Sequence, residues 1–189
     1  MSVFQITIFF LYIIAGVLFG LSRLNAGTNQ EKMLVAVAVI SGLTGLLWHT
    51  WTLLFTIFVP PGLNLTIGNT ASFIGLQIAL IAIIGAVEPT LRGLCAGLLI
   101  LAGLVAAAAG AQPPAEAGEA MSLQIQSHIL ISLFAYGLLA VGAIVAFYAL
   151  AQDMRLRAGL LSSANQLFAP LETTERLLFG ITAAGFLFL

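Results

Sequence analysis

Apolar residues run in long unbroken blocks along this chain, and polar residues gather in the short breaks between them. A block of about 20 apolar residues is the length a helix needs to cross a hydrocarbon core about 30 Å thick. Six such blocks can be marked, at 2–21, 33–58, 69–87, 93–111, 123–150 and 171–189. The second is closed by Val59-Pro60-Pro61-Gly62, and the sixth opens after Pro170. Helix is the expected conformation, because lipid offers no water to satisfy an open sheet edge. The runs are also too continuous for the alternating strands of a membrane barrel. The pattern predicts an all-α fold, a polytopic transmembrane helix bundle of about six spans that forms one domain over 1–189.

The breaks between blocks differ in charge. Arg23 and Lys32 lie in the first, Arg92 in the third, Arg155 and Arg157 in the fifth, and Arg176 opens the sixth block. These are all the basic residues, and with six spans they fall on one side. The second break is uncharged, and the fourth carries only Glu116 and Glu119. By the positive-inside rule the N-terminus is outside and the basic breaks are cytoplasmic.

Composition agrees with the pattern. Hydrophobic residues make up 61% of the chain and charged residues 7%, with a mean hydropathy of +1.13. Soluble domains carry roughly 25% charged residues. A formal net charge of −1 offers no basic surface for nucleic acid. The lone Cys95 excludes an internal disulfide, a CxxC redox pair and a CxxCH haem attachment site, and reads as a packing residue. No Lys or Arg precedes Arg23, so the first block lacks the basic start of a signal peptide and is expected to remain as a helix.

Several smaller features have structural readings. Glu116 and Glu119 read as solvation of a Pro/Ala/Gly loop. Met154–Ala169 is expected either as an amphipathic piece along the inner interface or as plain loop. Glu172 and Arg176 are spaced to pair at the start of the sixth helix. Gly16/Gly20 and Gly93/Gly97 match the small-xxx-small spacing of close helix contacts.

Few residues remain that could carry chemistry. The chain has no Gly-rich phosphate loop, no acid pair inside a span and no nucleophile–base set, so no enzymatic activity is expected. His49 lies well inside the second block, in the outer half of the membrane. Gly42, Gly45, His49, Thr52 and Thr56 share one helical stripe, which should face other helices or a cavity. His49 is either a hydrogen-bonded structural imidazole or a ligand. His128 is near the outer end of the fifth block, with Ser132, Ala135 and Tyr136 continuing its face, and taken alone it reads as an interfacial surface residue with no special role. These are the only two histidines. Both fall in the outer half, and imidazoles on facing helices are a common way to hold haem iron. Trp48 and Trp51 could flank a porphyrin or belong to the aromatic belt, and the belt is the preferred reading. Gln77 is the only deep amide, with Asn69 at the edge of its helix. Gln77 is expected to hydrogen-bond a neighbouring helix.

At the fifth block the chain resembles a known family. Ser127-His128-Ile-Leu-Ile-Ser-Leu-Phe-Ala135-Tyr136-Gly-Leu-Leu is similar to the His-led helix of the cytochrome c assembly membrane proteins, which include CcsA-, CcmC-, HemX- and YpjD-like proteins. Pro170-Leu-Glu-Thr-Thr-Glu-Arg-Leu-Leu-Phe179 resembles the segment opening the next helix in the HemX/YpjD-like branch. The resemblance implies a multi-pass protein of the bacterial cytoplasmic (inner) membrane that handles haem at its outer side. Its partners would be the lipid bilayer, haem and other cytochrome c biogenesis membrane proteins. His128 matches the external haem-ligating histidine, and His49 an early histidine of the branch. The implied cofactor is noncovalent haem b, with His49 and His128 as ligands to the haem iron. The resemblance also implies further spans beyond the sixth, so a C-terminally partial chain is expected. One departure is that the tryptophan-rich external loop of the assembly factors has no counterpart here. Two other readings stay open: a membrane scaffold or regulator of haem biosynthesis without a cofactor, and a small permease component.

Overall fold

A computed structural model describes residues 3–109, 120–158 and 167–189. It contains six α-helices: α1 (Val3–Leu24), α2 (Asn29–Ile57), α3 (Ile67–Gly85), α4 (Arg92–Ala109), α5 (Leu123–Arg157) and α6 (Leu171–Phe188). The all-α membrane bundle expected from the pattern is the observed fold. α1 to α5 are each long and apolar enough to cross a membrane. α6 has 18 residues and carries Glu172, Glu175 and Arg176 in its first two turns. Glu116 and Glu119 lie outside the described residues.

Local chemistry explains where the helices begin. The Thr28 side chain accepts from the Glu31 N–H at the start of α2, and Thr66 and Ser122 do the same for Asn69 and Ile125 at the starts of α3 and α5. Each cap satisfies one of the donors that a first turn leaves unpaired. α4 is entered through a 3₁₀ turn, Pro89–Leu91, capped by Glu88. The stop after α2 is a small hairpin. Its strands β1 (Phe58–Val59) and β2 (Gly62–Leu63) pair antiparallel around a cis Pro60–Pro61 peptide. This short strand pair departs from the purely helical expectation. The Asn64 N–H returns to the Ile57 carbonyl, so the last turn of α2 is closed by the hairpin.

α5 runs seven residues beyond its expected end and so takes in the first part of the segment read as an interfacial piece or loop. Nothing between Leu150 and Arg157 breaks a helix, and Arg157 bonds Asp153 one turn back at 2.8 Å. At 35 residues the helix is about 52 Å long, so its basic end projects well past a core of about 30 Å. Residues 159–166 lie outside the described residues.

The main core is built by α1, α3, α4 and α5 with contributions from α2 and α6. α1 packs on α2 and α4, α3 on α4, and α5 on α6 and α3. On α1 the buried positions are Ile8, Tyr12, Ala15, Gly16, Phe19 and Ser22, a helical stripe. The remaining faces are covered with exposed Phe, Leu, Ile and Val, as a lipid-facing surface requires. At Gly16 an added Cβ would come within 2.8 Å of the Ala96 carbonyl, so this glycine sets the α1–α4 approach. The pair expected on α4 makes no such contact with another helix. Gly97 has open space, and Gly93 lies under the backbone of Leu167, where the chain leading to α6 crosses the start of α4.

Candidate functional site

α1, α2 and α3 enclose His49. It is 1% exposed, on the buried α2 stripe Ala38–Ser41–Gly42–Gly45–His49–Leu53–Ile57. The predicted inward face of α2 is observed at Gly42, Gly45 and His49, whereas above them the buried positions are Leu53 and Ile57, with Thr52 half-buried and Thr56 exposed. Above His49, Thr52 and Thr56 return their hydroxyls to the α2 carbonyls of His49 and Leu53. The Tyr12 hydroxyl lies 3.2 Å from His49 Nδ1, and the Ser72 hydroxyl 2.8 Å from Nε2. A neutral imidazole has one donor and one acceptor nitrogen. A hydroxyl can serve either, so the two together satisfy the ring. Gly45 makes this possible: a Cβ there would lie 2.9 Å from the Tyr12 ring. Neither Tyr12 nor Ser72 was singled out in the sequence. The readable signal for Tyr12 is a phenol inside an otherwise apolar span, which needs a partner for its hydroxyl.

Beside the imidazole is a cavity of about 30 Å³, with Gln5, Thr52, Thr56, Asn69 and Ser72 among its polar lining. That is roughly the volume of one water molecule. Asn69 closes the outer end by donating to the carbonyls of Thr56 and Asn64 at 3.0 and 2.9 Å. A cofactor pocket is typically about 300 Å³ or more. With both ring nitrogens engaged and so little space, His49 in this arrangement does not fit an axial haem ligand.

His128 has a different setting. It is exposed on the second turn of α5, and no hydrogen-bond partner is found for it among the described residues. It does not line the His49 cavity, and α5 packs mainly on α6 and α3. The structure does not bring the two histidines into one site. Two positions along, Leu130 packs on Leu53, Ile57 and Leu63 and lines an apolar cavity of about 250 Å³ with Phe58, Phe73 and Leu76.

Trp48 and Trp51 are 41% and 62% exposed and make tilted ring contacts with Phe4 and Phe55 respectively. They sit on the outside of the bundle and do not line the His49 cavity, which fits the belt reading. Gln77 is buried against Gly137 of α5, leaving no room there for a β-carbon. Neither amide atom has a hydrogen-bond partner among the described residues, so the expected interhelical bond is replaced by close packing. Among the described residues no group of three or more His, Cys, Asp and Glu side chains is placed to hold a metal ion.

No family model, no curated protein and no solved structure matches the chain.

Proposed function

We propose that the chain is the membrane-embedded part of a haem-handling protein of the cytochrome c assembly kind, located in the bacterial cytoplasmic membrane. His128 is the residue that meets haem at the outer side. The observation that carries this is the exposed His128 imidazole, which has no partner among the described residues, in the His-led helix that resembles the family's. An exposed imidazole can give a nitrogen lone pair to iron without breaking an existing bond. The nearby apolar cavity at Leu130, Phe73 and Leu76 is too small to enclose a macrocycle, so haem would lie against the outer surface of the bundle beside it. Haem would be held noncovalently, since Cys95 is the only cysteine. The role is binding rather than catalysis, and His49 serves the bundle rather than the iron.

Haem titration of the detergent-purified protein tests this. A Soret band should grow to saturation, shift or vanish in His128→Ala, and persist in His49→Ala where that variant folds. No band, or a band indifferent to His128→Ala, would overturn the reading. The satisfied imidazole of His49 favours a second reading, a cofactor-free scaffold or regulator of haem biosynthesis. Under that reading His128→Ala leaves every spectrum unchanged and weakens capture of a partner membrane protein. No observation favours a small permease, because Gln77 is sealed against Gly137.

A further inference from the structure

At the basic end of the bundle, the last turn of α1, the projecting end of α5 and the chain entering α6 surround a cavity of about 370 Å³. Two arginines, Arg23 and Arg155, line it, and among the described residues no acidic one does. Of the five acids elsewhere at this end, three are in ion pairs: Glu31 with Arg92 at 2.6 Å, Asp153 with Arg157 at 2.8 Å, and Glu172 with Arg176 at 3.1 Å; Glu88 accepts from Thr90, Glu175 has no ion pair among the described residues, and none of the five lines the cavity. Neither Arg23 nor Arg155 has an ion pair among the described residues. Arg155 is oriented by Phe168, whose ring centroid lies 5.0 Å from its Cζ, and Phe168 stacks on Tyr148.

Two buried polar atoms here lack partners among the described residues. Arg23 Nε has no acceptor, and Gln152 Oε1 has no donor. Gln152 is 5% exposed, and its Nε2 already donates to the Ala169 carbonyl. A buried unpaired polar atom is costly, and unlike Gln77, which is packed against Gly137, these two residues line a cavity in which a ligand can complete them. The required ligand must bring negative charge to two guanidinium groups and a donor to one amide oxygen. The rest of the wall, including Leu156, Phe168 and Leu171, is apolar.

We propose that this cavity binds a phosphate ester whose alcohol part carries a hydroxyl donor. In a membrane, the head group of an anionic phospholipid such as phosphatidylglycerol has that chemistry. The phosphate lies between Arg23 and Arg155, the head-group hydroxyl donates to Gln152 Oε1, and the glycerol end rests on the apolar wall. Basic pockets between membrane helices at the cytoplasmic end are suited to such head groups. The site is independent of haem binding.

The test is thermal unfolding of the whole detergent-purified chain while one ligand at a time is titrated. The ligands are phosphatidylglycerol, phosphatidylcholine, soluble glycerol phosphate and inorganic phosphate. Saturable stabilisation by phosphatidylglycerol, absent with phosphatidylcholine and with the soluble phosphates, is expected and assigns a lipid. Equal stabilisation by glycerol phosphate supports the site and assigns a soluble ester. In Arg23→Gln and Arg155→Gln the apparent affinity should fall roughly fivefold for each guanidinium removed. If Arg23→Gln does not fold, Arg155→Gln decides, together with mass analysis of lipid co-purifying with the unmodified chain. No stabilisation, the same response to phosphatidylcholine, or unchanged preference in Arg155→Gln would overturn the proposal.

Discussion

At His49 two hydroxyls do for a buried imidazole what water would do at a surface. Tyr12 comes from α1 and Ser72 from α3, so one residue of α2 ties three helices together. Hydrogen bonds between membrane helices average about 0.6 kcal/mol and reach about 1.7. A ring nitrogen left buried and unpaired adds a desolvation cost of about 1–3 kcal/mol. Tyr12→Phe and Ser72→Ala should therefore each lower unfolding stability by about 1–2 kcal/mol. The double variant should lose less than the sum, because both bonds serve one ring. Denaturant titration of detergent-solubilised protein measures all three. Stability unchanged in both single variants would show that these bonds do not matter. Gly45→Ala belongs to the same test, since its methyl would push the Tyr12 ring off α2.

Between elements, close approach is decided by which helix faces which. Gly16 and Gly97 both belong to small-xxx-small pairs, yet only Gly16 meets a neighbour's backbone, the Ala96 carbonyl. Gly16→Ala should cost about 1–3 kcal/mol through overpacking against a rigid carbonyl. Gly97→Ala enters open space and should stabilise α4 by about 0.5–1 kcal/mol. Opposite signs in a thermal melt are the expected result, and equal effects would refute the observed α1–α4 crossing. The contrast also shows what the sequence could reveal. Span positions were readable because apolar block length sets them. The inward stripe of α2 was readable because small and polar residues mark it. The partners of His49 were not, since α1 and α3 are apolar nearly all round and their rotation is set by packing. For the same reason the spacing Gly93/Gly97 could not distinguish a helix crossing from contact with the Leu167 backbone. Among the described residues no hydrogen bond or cavity joins His49 and His128, which chain position alone could not show. Both lie in the outer half by chain position, but α5 packs mainly on α3 and α6 while His49 is enclosed by α1 and α3.

For the molecule as a whole, the arrangement of charge ties fold to orientation. All six basic residues sit at the ends of α1 and α5 or the starts of α2, α4 and α6. Contacts join these ends: Arg92 bonds Glu31 from the α1–α2 side, and Leu167 crosses Gly93. By the positive-inside rule this end is expected to be cytoplasmic, with His128 and the Pro60–Pro61 hairpin outside. α6 is the element on which the topology turns. Its charges, Glu172, Glu175 and Arg176, lie in the first two turns at the basic end, and the rest of the helix from Leu177 to Phe188 is uncharged. A helix charged only where it enters can cross, because the entry turns sit at the interface and Arg176 can extend its charge toward water. Cysteines introduced in a Cys95→Ala background read the orientation directly. Gln30→Cys should react with an impermeant thiol reagent only from the cytoplasmic side, and Pro61→Cys only from the outside. A reporter domain active only outside, fused after Leu189, should then be active, because six crossings return the chain to the side where it began. Activity only in the cytoplasm, with the two cysteine results as expected, would mean that α6 lies along the membrane and the described bundle crosses five times. Reversal of both cysteine results would instead turn the whole bundle over and move His128 to the cytoplasmic side. That last outcome would remove the physical basis for a haem ligand at the outer face.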